Sequence, residues 1–289
     1  MPAATTMLSI RRLSPAAAAE ACGIDLTRPL GRALVQELHR ALAENCLLVF
    51  RDAQITPEQH IEFSRQFGEL ETHVLDQFTM PGHPEILLVS NVKEDGKFKG
   101  AVYAGQYWHS DVSYMAKPPM GSLLLCREMP EIGGDTMWSN MYLAYETLSE
   151  PMQKFLGSNK AIHHYSNAYE KFLSKHSDRP PLTPEQRAST PPVTHPMVRT
   201  HPVTGRKALY VNPGFTSGIE GMPADESQPI LDFLFQHSTR PEFVYRHKWR
   251  VNDIVFWDNR CTMHYALADY DFSVRRHMHR TTVVGELPR

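Results

Sequence analysis

Short apolar runs recur through the middle and the end of this chain of 289 residues, and they constrain its fold more than any other feature. Each run has the length of a single strand, and turn-forming residues lie between the runs. The runs span residues 86–90, 122–126, 136–139, 198–200, 208–212, 243–249, 254–257, 262–266 and 278–284. Many short strands with helices inserted between them predict a mainly β fold with helical insertions. The expected form is an antiparallel sandwich or barrel of the jelly-roll type.

Helical signals lie between these runs and ahead of them. Apolar spacing favours helices over residues 32–45, 142–148, from 152 onward and over 224–237. A further helix should begin after Thr56, because Thr56 can cap it, Pro57 suits its first turn and Gln59 completes a capping box. We expect that helix to run to Phe67 and to stop at Gly68.

The chain contains no internal repeat and no visible boundary, which predicts a single domain over residues 1–289. A lid-like segment is predicted around residues 165–196. From residue 174 onward the apolar content falls and prolines accumulate. Strand patterns resume afterwards, so the segment is interpreted as a long surface loop or lid and not as a linker.

Basic and acidic side chains nearly balance, with 30 Lys and Arg against 32 Asp and Glu and a formal net charge of −2. This argues against nucleic acid or an anionic membrane as the main partner, since both attract basic surfaces. The four cysteines form no C-x-x-C pair, and Cys46 and Cys126 lie in apolar runs, which predicts buried free thiols. No stretch approaches 18 apolar residues. We therefore expect a cytoplasmic protein without a membrane-spanning segment.

A His-x-Asp pair stands in residues 106–114, where the sequence alternates as a strand would. Residues i and i+2 of a strand point to one face, so His109 and Asp111 should point together. Such a pair is common by chance, but His264 follows on a later predicted strand. Two imidazoles and one carboxylate are the ligand set of non-haem Fe(II). The same three side chains would also suit a zinc hydrolase or a metal-binding jelly roll without oxygenase activity.

Arg276 follows His264 by twelve residues. A guanidinium there could form a bidentate pair with the far carboxylate of a 2-oxo acid that chelates the metal at its other end. Thr136 could add a hydroxyl donor to the same carboxylate. A protein that only binds metal needs no such pair, so these two residues favour the oxygenase.

Six motifs together resemble the TauD/TfdA family of Fe(II)- and 2-oxoglutarate-dependent dioxygenases, and the taurine dioxygenases most of all. The resemblance runs from about residue 10 to residue 285 and keeps the family's order and spacing. The motifs are Trp108-His109-Ser110-Asp111, Gly133-Gly134-Asp135-Thr136, Thr200-His201-Pro202, Tyr210-Val211-Asn212, Trp257-Asp258-Asn259-Arg260 with His264, and Arg275-Arg276-His277-Met278-His279-Arg280.

The resemblance implies a double-stranded β-helix in which His109, Asp111 and His264 hold Fe(II). It implies that 2-oxoglutarate chelates the iron and that Arg276 and Thr136 bind its distal carboxylate. With O2, a substrate carbon beside a heteroatom is hydroxylated, and succinate and CO2 are released. Members of the family often form dimers or tetramers, so a homo-oligomer is expected.

The resemblance also indicates an anion-binding pair. A histidine shortly after Phe67-Gly68-Glu69-Leu70 and the last arginine of the Arg-Arg-x-Met-His-Arg run hold the sulfonate in taurine enzymes, and His73 and Arg280 match them here. The other histidines are expected in loops, at the surface or in supporting roles. They are His163, His164, His176, His195, His237, His247 and His279.

The rest of the pocket departs from the taurine pattern. Tyr169 and Phe215 match two aromatic wall residues of the family, and Tyr169 replaces a phenylalanine. Gly105 stands where taurine enzymes carry an asparagine, and Asp76 where they carry a tyrosine. The predicted substrate is a small organic anion, a taurine-like sulfonate, an alkyl sulfate or a carboxylate, whose remainder differs from aminoethyl. The alternative is a phenoxyalkanoate or another substrate cleaved at an ether.

Overall fold

The computed structural model describes residues 8–72, 76–102, 105–166, 169 and 182–289, and the side chain of Asp76 is not part of that description. The described helices are α1 Arg32–Asn45, α2 Pro57–Arg65, α3 Met141–Glu146, α4 Glu150–Gly157, α5 Pro184–Ser189 and α6 Ala224–Ser238. The described strands are β1 Ser9–Arg12, β2 Ala19–Cys22, β3 Leu47–Phe50, β4 Thr79–Met80, β5 His83–Ser90, β6 Lys93–Glu94, β7 Lys97–Phe98, β8 Gly121–Glu128, β9 Thr136–Asn140, β10 Lys160–His163, β11 Val193–Pro196, β12 Val198–Thr200, β13 Lys207–Leu209, β14 Thr216–Ile219, β15 Val244–His247, β16 Ile254–Asp258, β17 Thr262–Ala266 and β18 His277–Val283.

An eight-stranded sheet in the order β1-β2-β3-β16-β8-β18-β5-β4 forms the main layer. Its neighbours pair antiparallel except for β2 and β3, which run parallel. Smaller groups of strands, β15-β9-β17, β11-β10-β14, β12-β13 and β6-β7, complete the described β-structure. Strands from both ends of the chain meet in the main sheet.

Successive side chains of the central strands serve two different cores, because a strand directs them to opposite faces. In β8, Leu123 and Leu125 pack in one cluster with residues of α1 and α2. Leu124 and Cys126 pack in the other, together with Trp138 of β9 and residues of β17. The inner face of the main sheet is therefore covered by the smaller sheets, and the outer face by helices.

Helix α2 confirms the predicted start. The Thr56 hydroxyl accepts the Gln59 amide N–H at 3.3 Å, and the Gln59 side chain accepts the Thr56 amide N–H at 2.8 Å. The helix ends at Arg65, two residues before the predicted end. Gln66 and Phe67 continue instead in tighter turns, with bonds to carbonyls three residues back.

The predicted loop from residue 174 to 196 contains regular structure in its described part. Helix α5 begins with a second capping box, in which the hydroxyl of Thr183 accepts the N–H of Gln186. Strand β11 then pairs with β10. The sequence Thr183-Pro184-Glu185-Gln186 repeats the start of α2, so the loop interpretation was wrong there. Residues 167–168 and 170–181 of the predicted lid lie outside the described residues.

Residues 106–114 are not a strand, contrary to the alternation in their sequence. His109 forms only an isolated bridge with His264, and residues 111–114 turn away from it. Val112 has a φ of 51°, in the left-handed region that β-branched residues rarely adopt. No helix in the described part of the chain is long and apolar enough to cross a membrane.

Candidate active site

His109 and His264 are cross-strand neighbours. Their main chains exchange two hydrogen bonds, His109 N to His264 O at 3.0 Å and His264 N to His109 O at 2.7 Å. The two ring centroids lie 4.1 Å apart. A single bridge therefore brings together two imidazoles that are 155 positions apart in the sequence.

Asp111 completes a compact set of three. One potential ligand atom from each of Asp111, His109 and His264 lies within 4.8 Å of the others. Asp111 Oδ1 is 3.6 Å from His109 Nε2 and 3.9 Å from His264 Nε2, which is too long for good hydrogen bonds. All three residues are buried. The spacing leaves room for an ion between the atoms, because cis ligands of a first-row metal lie about 3 Å apart.

The hydrogen bond of His109 and the burial of His264 both suit metal ligation. The Nδ1–H of His109 can donate to the carbonyl of Tyr107 at 2.8 Å, which leaves the lone pair on Nε2 facing Asp111. Burial, and then the neighbouring His109, lower the pKa of His264 to about 3. His264 is therefore neutral near pH 7, and its buried Nδ1 has no hydrogen-bond partner in the part of the chain that the structure describes.

The carboxylate of Asp111 is held ionised. Burial alone would raise its pKa, but Arg280 and then His264 outweigh burial and bring the pKa well below its usual range. Arg280 Nη1 lies 3.3 Å from Oδ1, and the Ser122 hydroxyl donates to Oδ2 at 3.2 Å. Among the described residues, Arg280 Nε is buried without a hydrogen-bond partner, so this cation retains capacity for a second anion.

Thr136 begins β9, and Arg276 immediately precedes β18. Arg276 is buried, and its Nε donates to the carbonyl of Gly134 at 3.2 Å. Among the described residues it has no ion pair with a carboxylate. Burial lowers its pKa, but an arginine stays charged in proteins. The Thr136 hydroxyl accepts the indole N–H of Trp249 at 3.0 Å, so its own O–H remains to be donated.

Gly105 and Phe215, both predicted as pocket residues, lie beside His109. Gly105 has a φ of 75°, and a Cβ at this position would lie 3.0 Å from Cε1 of His109. The Phe215 ring lies edge-on to the His109 ring at 6.2 Å. Absence of a side chain at residue 105 therefore keeps space open beside the ligand ring.

A row of aromatic rings leads away from Phe215. Tyr114 lies 4.9 Å from Phe215, Tyr165 lies 4.9 Å from Tyr114, and Tyr169 lies 6.0 Å from Tyr165. Tyr169 is thus three rings removed from Phe215. His73 lies outside the described residues.

Sequence reasoning missed several residues that support the site. Ser122 contacts the carboxylate of Asp111, and Tyr114 belongs to the aromatic row. Asn259 bonds the main chain of Asp111. Asn259 lies in a motif that the resemblance had singled out, and this was the available signal for it.

Five of the seven remaining histidines are buried, so a surface position is wrong for them. The five are His163, His195, His237, His247 and His279. Their rings find protein partners in place of water, and two of them support the turn after Asp111. His163 Nδ1 lies 3.0 Å from the Ser113 hydroxyl, and His195 Nε2 lies 3.0 Å from the Ser113 carbonyl. His176 lies outside the described residues.

A second cluster of potential metal ligands comprises His201, Asp258 and Cys261. Nδ1 of His201 accepts the N–H groups of Val203 and Thr204, so Nε2 carries the proton and donates it to Asp258 at 2.9 Å. Arg260 occupies both carboxylate oxygens of Asp258. Because these ligand atoms are already committed, the cluster is a structural network and not a metal site.

Comparisons with known proteins agree with this geometry. The chain matches the model of the taurine catabolism dioxygenase TauD, TfdA family over residues 9–282. It is 37% identical over 284 residues to the alpha-ketoglutarate-dependent 2,4-dichlorophenoxyacetate dioxygenase of Cupriavidus pinatubonensis, with 95% of this chain and 96% of that protein covered.

Two solved structures share the fold over nearly the whole chain. A putative alpha-ketoglutarate-dependent taurine dioxygenase from Burkholderia xenovorans has a TM-score of 0.82 at 36% identity, with 98% of this chain and 94% of that chain covered. AAD-2, solved in complex with Mn(II) and N-oxalylglycine, has a TM-score of 0.83 at 32% identity, with 98% and 99% covered.

The fold and the two-histidine, one-carboxylate set define a jelly-roll dioxygenase of the non-haem iron class, which confirms the predicted fold class. The chain belongs to the TauD/TfdA family. It is a 2-oxoglutarate-dependent dioxygenase that acts on a small organic substrate, and it works with Fe(II), 2-oxoglutarate and O2.

Proposed function

We propose that this dioxygenase hydroxylates a small organic anion, with Fe(II) held by His109, Asp111 and His264. Arg276 and Thr136 would bind the distal carboxylate of 2-oxoglutarate. The substrate would be a taurine-like sulfonate, an alkyl sulfate or a carboxylate.

The anion of the substrate would bind Arg280, with His73 as a second contact. Gly105, Phe215 and Tyr169 would line the remainder of the pocket. The Nε atom of Arg280 is buried and has no hydrogen-bond partner among the described residues, which supports the anion preference, since filling a buried donor stabilises the guanidinium.

The observation that carries the proposal is that three buried residues bring ligand atoms within 4.8 Å of one another, with the guanidinium of Arg280 beside them and the buried Arg276 four residues earlier in the chain. Arg276 and Arg280 are four positions apart, or about 13 Å along an extended chain. Arg280 meets the ligand carboxylate directly, whereas Arg276 lies farther along the interior. One cation is thus available to a substrate at the metal and the other to the far end of a cosubstrate.

When bound, Fe(II) with 2-oxoglutarate and O2 supplies the oxidation that hydroxylates the substrate carbon and yields succinate and CO2. The residues of the chain hold and orient the ligand side chains. Arg280 keeps Asp111 ionised at the metal, and the Tyr107 carbonyl fixes the tautomer of His109. The burial of all three ligand residues excludes bulk water from the reacting atoms.

A second candidate substrate is an aryloxyalkanoate, and the aromatic row favours it. Phe215, Tyr114 and Tyr165 are neighbouring rings that begin beside the His109 ring, and the ring of a substrate could pack against them. The relative that acts on 2,4-dichlorophenoxyacetate is consistent with this candidate. An ether carbon hydroxylated beside oxygen would release a phenol.

A succinate-release screen tests both candidates. It compares sulfonates including taurine, alkyl sulfates and aryloxyalkanoates under Fe(II), 2-oxoglutarate and O2. Some anion should stimulate succinate release, and Arg280→Gln should abolish that stimulation. If no anion stimulates release, or if neutral analogues do so equally, the proposed substrate class is wrong.

Phe215→Leu separates the two candidates, because it removes the ring while keeping apolar volume. It should lower kcat/KM for an aryloxyalkanoate more than for an alkylsulfonate. Equal losses would favour the alkyl substrate.

We further propose a single-domain, cytoplasmic enzyme that assembles as a dimer or tetramer and binds neither nucleic acid nor membrane. Its four free cysteines suit a reducing compartment. The near balance of charge gives no basic surface excess for a polyanion. The meeting of β1 and β18 in one sheet supports the single domain. Gel filtration with light scattering tests the oligomer.

A further inference from the structure

We infer that Asn259 is a positioning residue that fixes the main chain of Asp111 so that its carboxylate faces the two imidazoles. The inference rests on the proposed role of Asp111 as an iron ligand. It concerns a side chain that touches neither metal nor substrate. The carboxamide of Asn259 replaces the strand partner that Asp111 lacks.

The contacts form a side-chain mimic of a β-bridge. Asn259 Oδ1 accepts the Asp111 N–H at 2.7 Å, and Asn259 Nδ2 donates to the Asp111 carbonyl at 2.9 Å. The same Nδ2 donates to the Pro119 carbonyl at 3.2 Å. Asn259 is fully buried. Among the residues that the structure describes, the Asp111 main chain makes no other hydrogen bond.

Asp111 needs such a support because the chain leaves the sheet at this residue. His109, two positions earlier, has a bridge to His264, but residues 111–114 are turns. The next residue, Val112, is held at a φ of 51°. A β-branched residue in that conformation is strained, and strain persists only when neighbouring bonds impose it. The two hydrogen bonds from Asn259 to the Asp111 main chain impose this strained conformation from the Asp111 side.

The loop that carries Asn259 is itself rigidly anchored. The carboxylate of its neighbour Asp258 accepts hydrogen bonds from Arg260 Nε at 2.8 Å and Nη2 at 2.6 Å, and from His201 Nε2 at 2.9 Å. The Thr262 hydroxyl donates to the Asp258 carbonyl at 2.8 Å. Asp258, Arg260 and His201 are all buried. This network fixes the turn between β16 and β17, and with it the position of the Asn259 carboxamide.

The same turn also leads directly into β17, which carries His264. His264 in turn bridges His109, and Ser110 Oγ donates to the Thr262 carbonyl at 2.9 Å. One turn therefore sets the register of all three ligand residues. Loss of the Asn259 bonds should release Asp111 alone, because the His109–His264 bridge remains.

Metal affinity measures this positioning directly. The metal-free enzyme is titrated with Co(II), and the dissociation constant and the visible ligand-field bands are recorded. Asn259→Ala and Asn259→Leu both remove the three hydrogen bonds, and Leu fills the volume that Ala leaves empty. Each should weaken Co(II) binding about 10- to 100-fold, the range typical of outer-shell partners of metal ligands. The bands should change shape because the carboxylate is no longer fixed.

Asn140→Ala is the matched control. Asn140 is buried and also makes three bonds to the main chain, accepting the N–H of Tyr142 and Leu143 and donating to the Ala16 carbonyl. It caps α3, and these side-chain bonds are to the main chain of residues other than Asp111 and Asn259. It should lower thermal stability comparably while leaving Co(II) affinity and bands as in the wild type. If Asn140→Ala weakens Co(II) binding as much as the Asn259 variants do, the effect is one of general stability and the inference is wrong.

Asp111→Ala separates the inference from the proposed function. If Asp111→Ala loses Co(II) affinity and the Asn259 variants do not, only the positioning role fails. If Asp111→Ala binds Co(II) as the wild type does, the proposed ligand set itself fails. Should the Asn259 variants not fold, hydrogen exchange on the metal-free wild type decides. A protected Asp111 amide is expected, and rapid exchange there would overturn the inference.

Discussion

Arg276→Gln should weaken the binding of 2-oxoglutarate without lowering the thermal stability of the folded protein. Arg276 is 6% exposed, and no carboxylate pairs with it among the described residues. A buried cation without a counter-ion is costly to the folded state. Its removal loses one bond to the Gly134 carbonyl, worth about 1 kcal/mol, and also removes the desolvation cost of the charge. We therefore expect the thermal midpoint of the cosubstrate-free enzyme to stay nearly unchanged or to rise.

The binding of 2-oxoglutarate should fall steeply in the same variant. A charge-assisted hydrogen bond to a carboxylate is worth about 1.5–3 kcal/mol. This corresponds to a roughly 10- to 100-fold higher apparent requirement for 2-oxoglutarate. Thr136, whose hydroxyl is free to donate, should account for the residual affinity.

The assay is an anaerobic titration of the Fe(II) enzyme with 2-oxoglutarate, followed by its visible charge-transfer absorption. Arg275→Gln is the control, because Arg275 is exposed and pairs with Glu128. It should leave the titration unchanged. If Arg276→Gln titrates as the wild type does, or if it unfolds the protein while Arg275→Gln does not, the reasoning is refuted.

Two further predictions concern pH and the ligand pocket. Burial, and then His195, lower the pKa of His163 to about 3, so its neutral form stabilises the fold above the unfolded pKa of about 6.5. This stability should fall with decreasing pH, by about 1.4 kcal/mol at pH 5.5. In denaturant titrations, the free energy of unfolding of His163→Asn should therefore change less between pH 7 and 5.5 than that of the wild type. An equally steep profile would show that folding does not lower the pKa of His163. Gly105→Ala places a Cβ 3.0 Å from the His109 ring and should weaken Co(II) binding. Gly82 has a similar positive φ, but a Cβ there would have no atom within 4 Å. Gly82→Ala should therefore cost only stability, about 1–2 kcal/mol. Equal Co(II) affinity in both glycine variants would contradict the close approach.

Local patterns predicted the elements well where chain neighbours alone decide the structure. The capping box at Thr56 and the apolar runs of β8 and β16 depend on contacts a few residues away or on simple alternation. The second capping box, at Thr183, followed the same pattern and was overlooked because the surrounding prolines favoured a loop interpretation.

The candidate site was predicted from the chemistry of its side chains and from motifs that stand in the same order as in the TauD/TfdA family. His109, Asp111 and His264 converge as expected, although the strand that should have aligned the first two is absent. Alternation in a sequence predicts a strand only where a neighbouring strand is available to pair with it. At Asp111 that partner is a side chain, Asn259, which no local pattern reveals.

The sequence by itself determined the class of ligands and the succession of short strands, and it suggested Arg276 and Thr136 as a clamp for a 2-oxo acid. The tertiary structure alone decided that Arg280 holds Asp111 ionised, that Asn259 supports its main chain and that aromatic rings line up beyond Phe215. The physical reason is distance along the chain. Hydrogen bonds, desolvation and charge act over a few ångströms in space, and they join residues that are distant in the sequence, as Asp111 and Asn259 are, 148 positions apart.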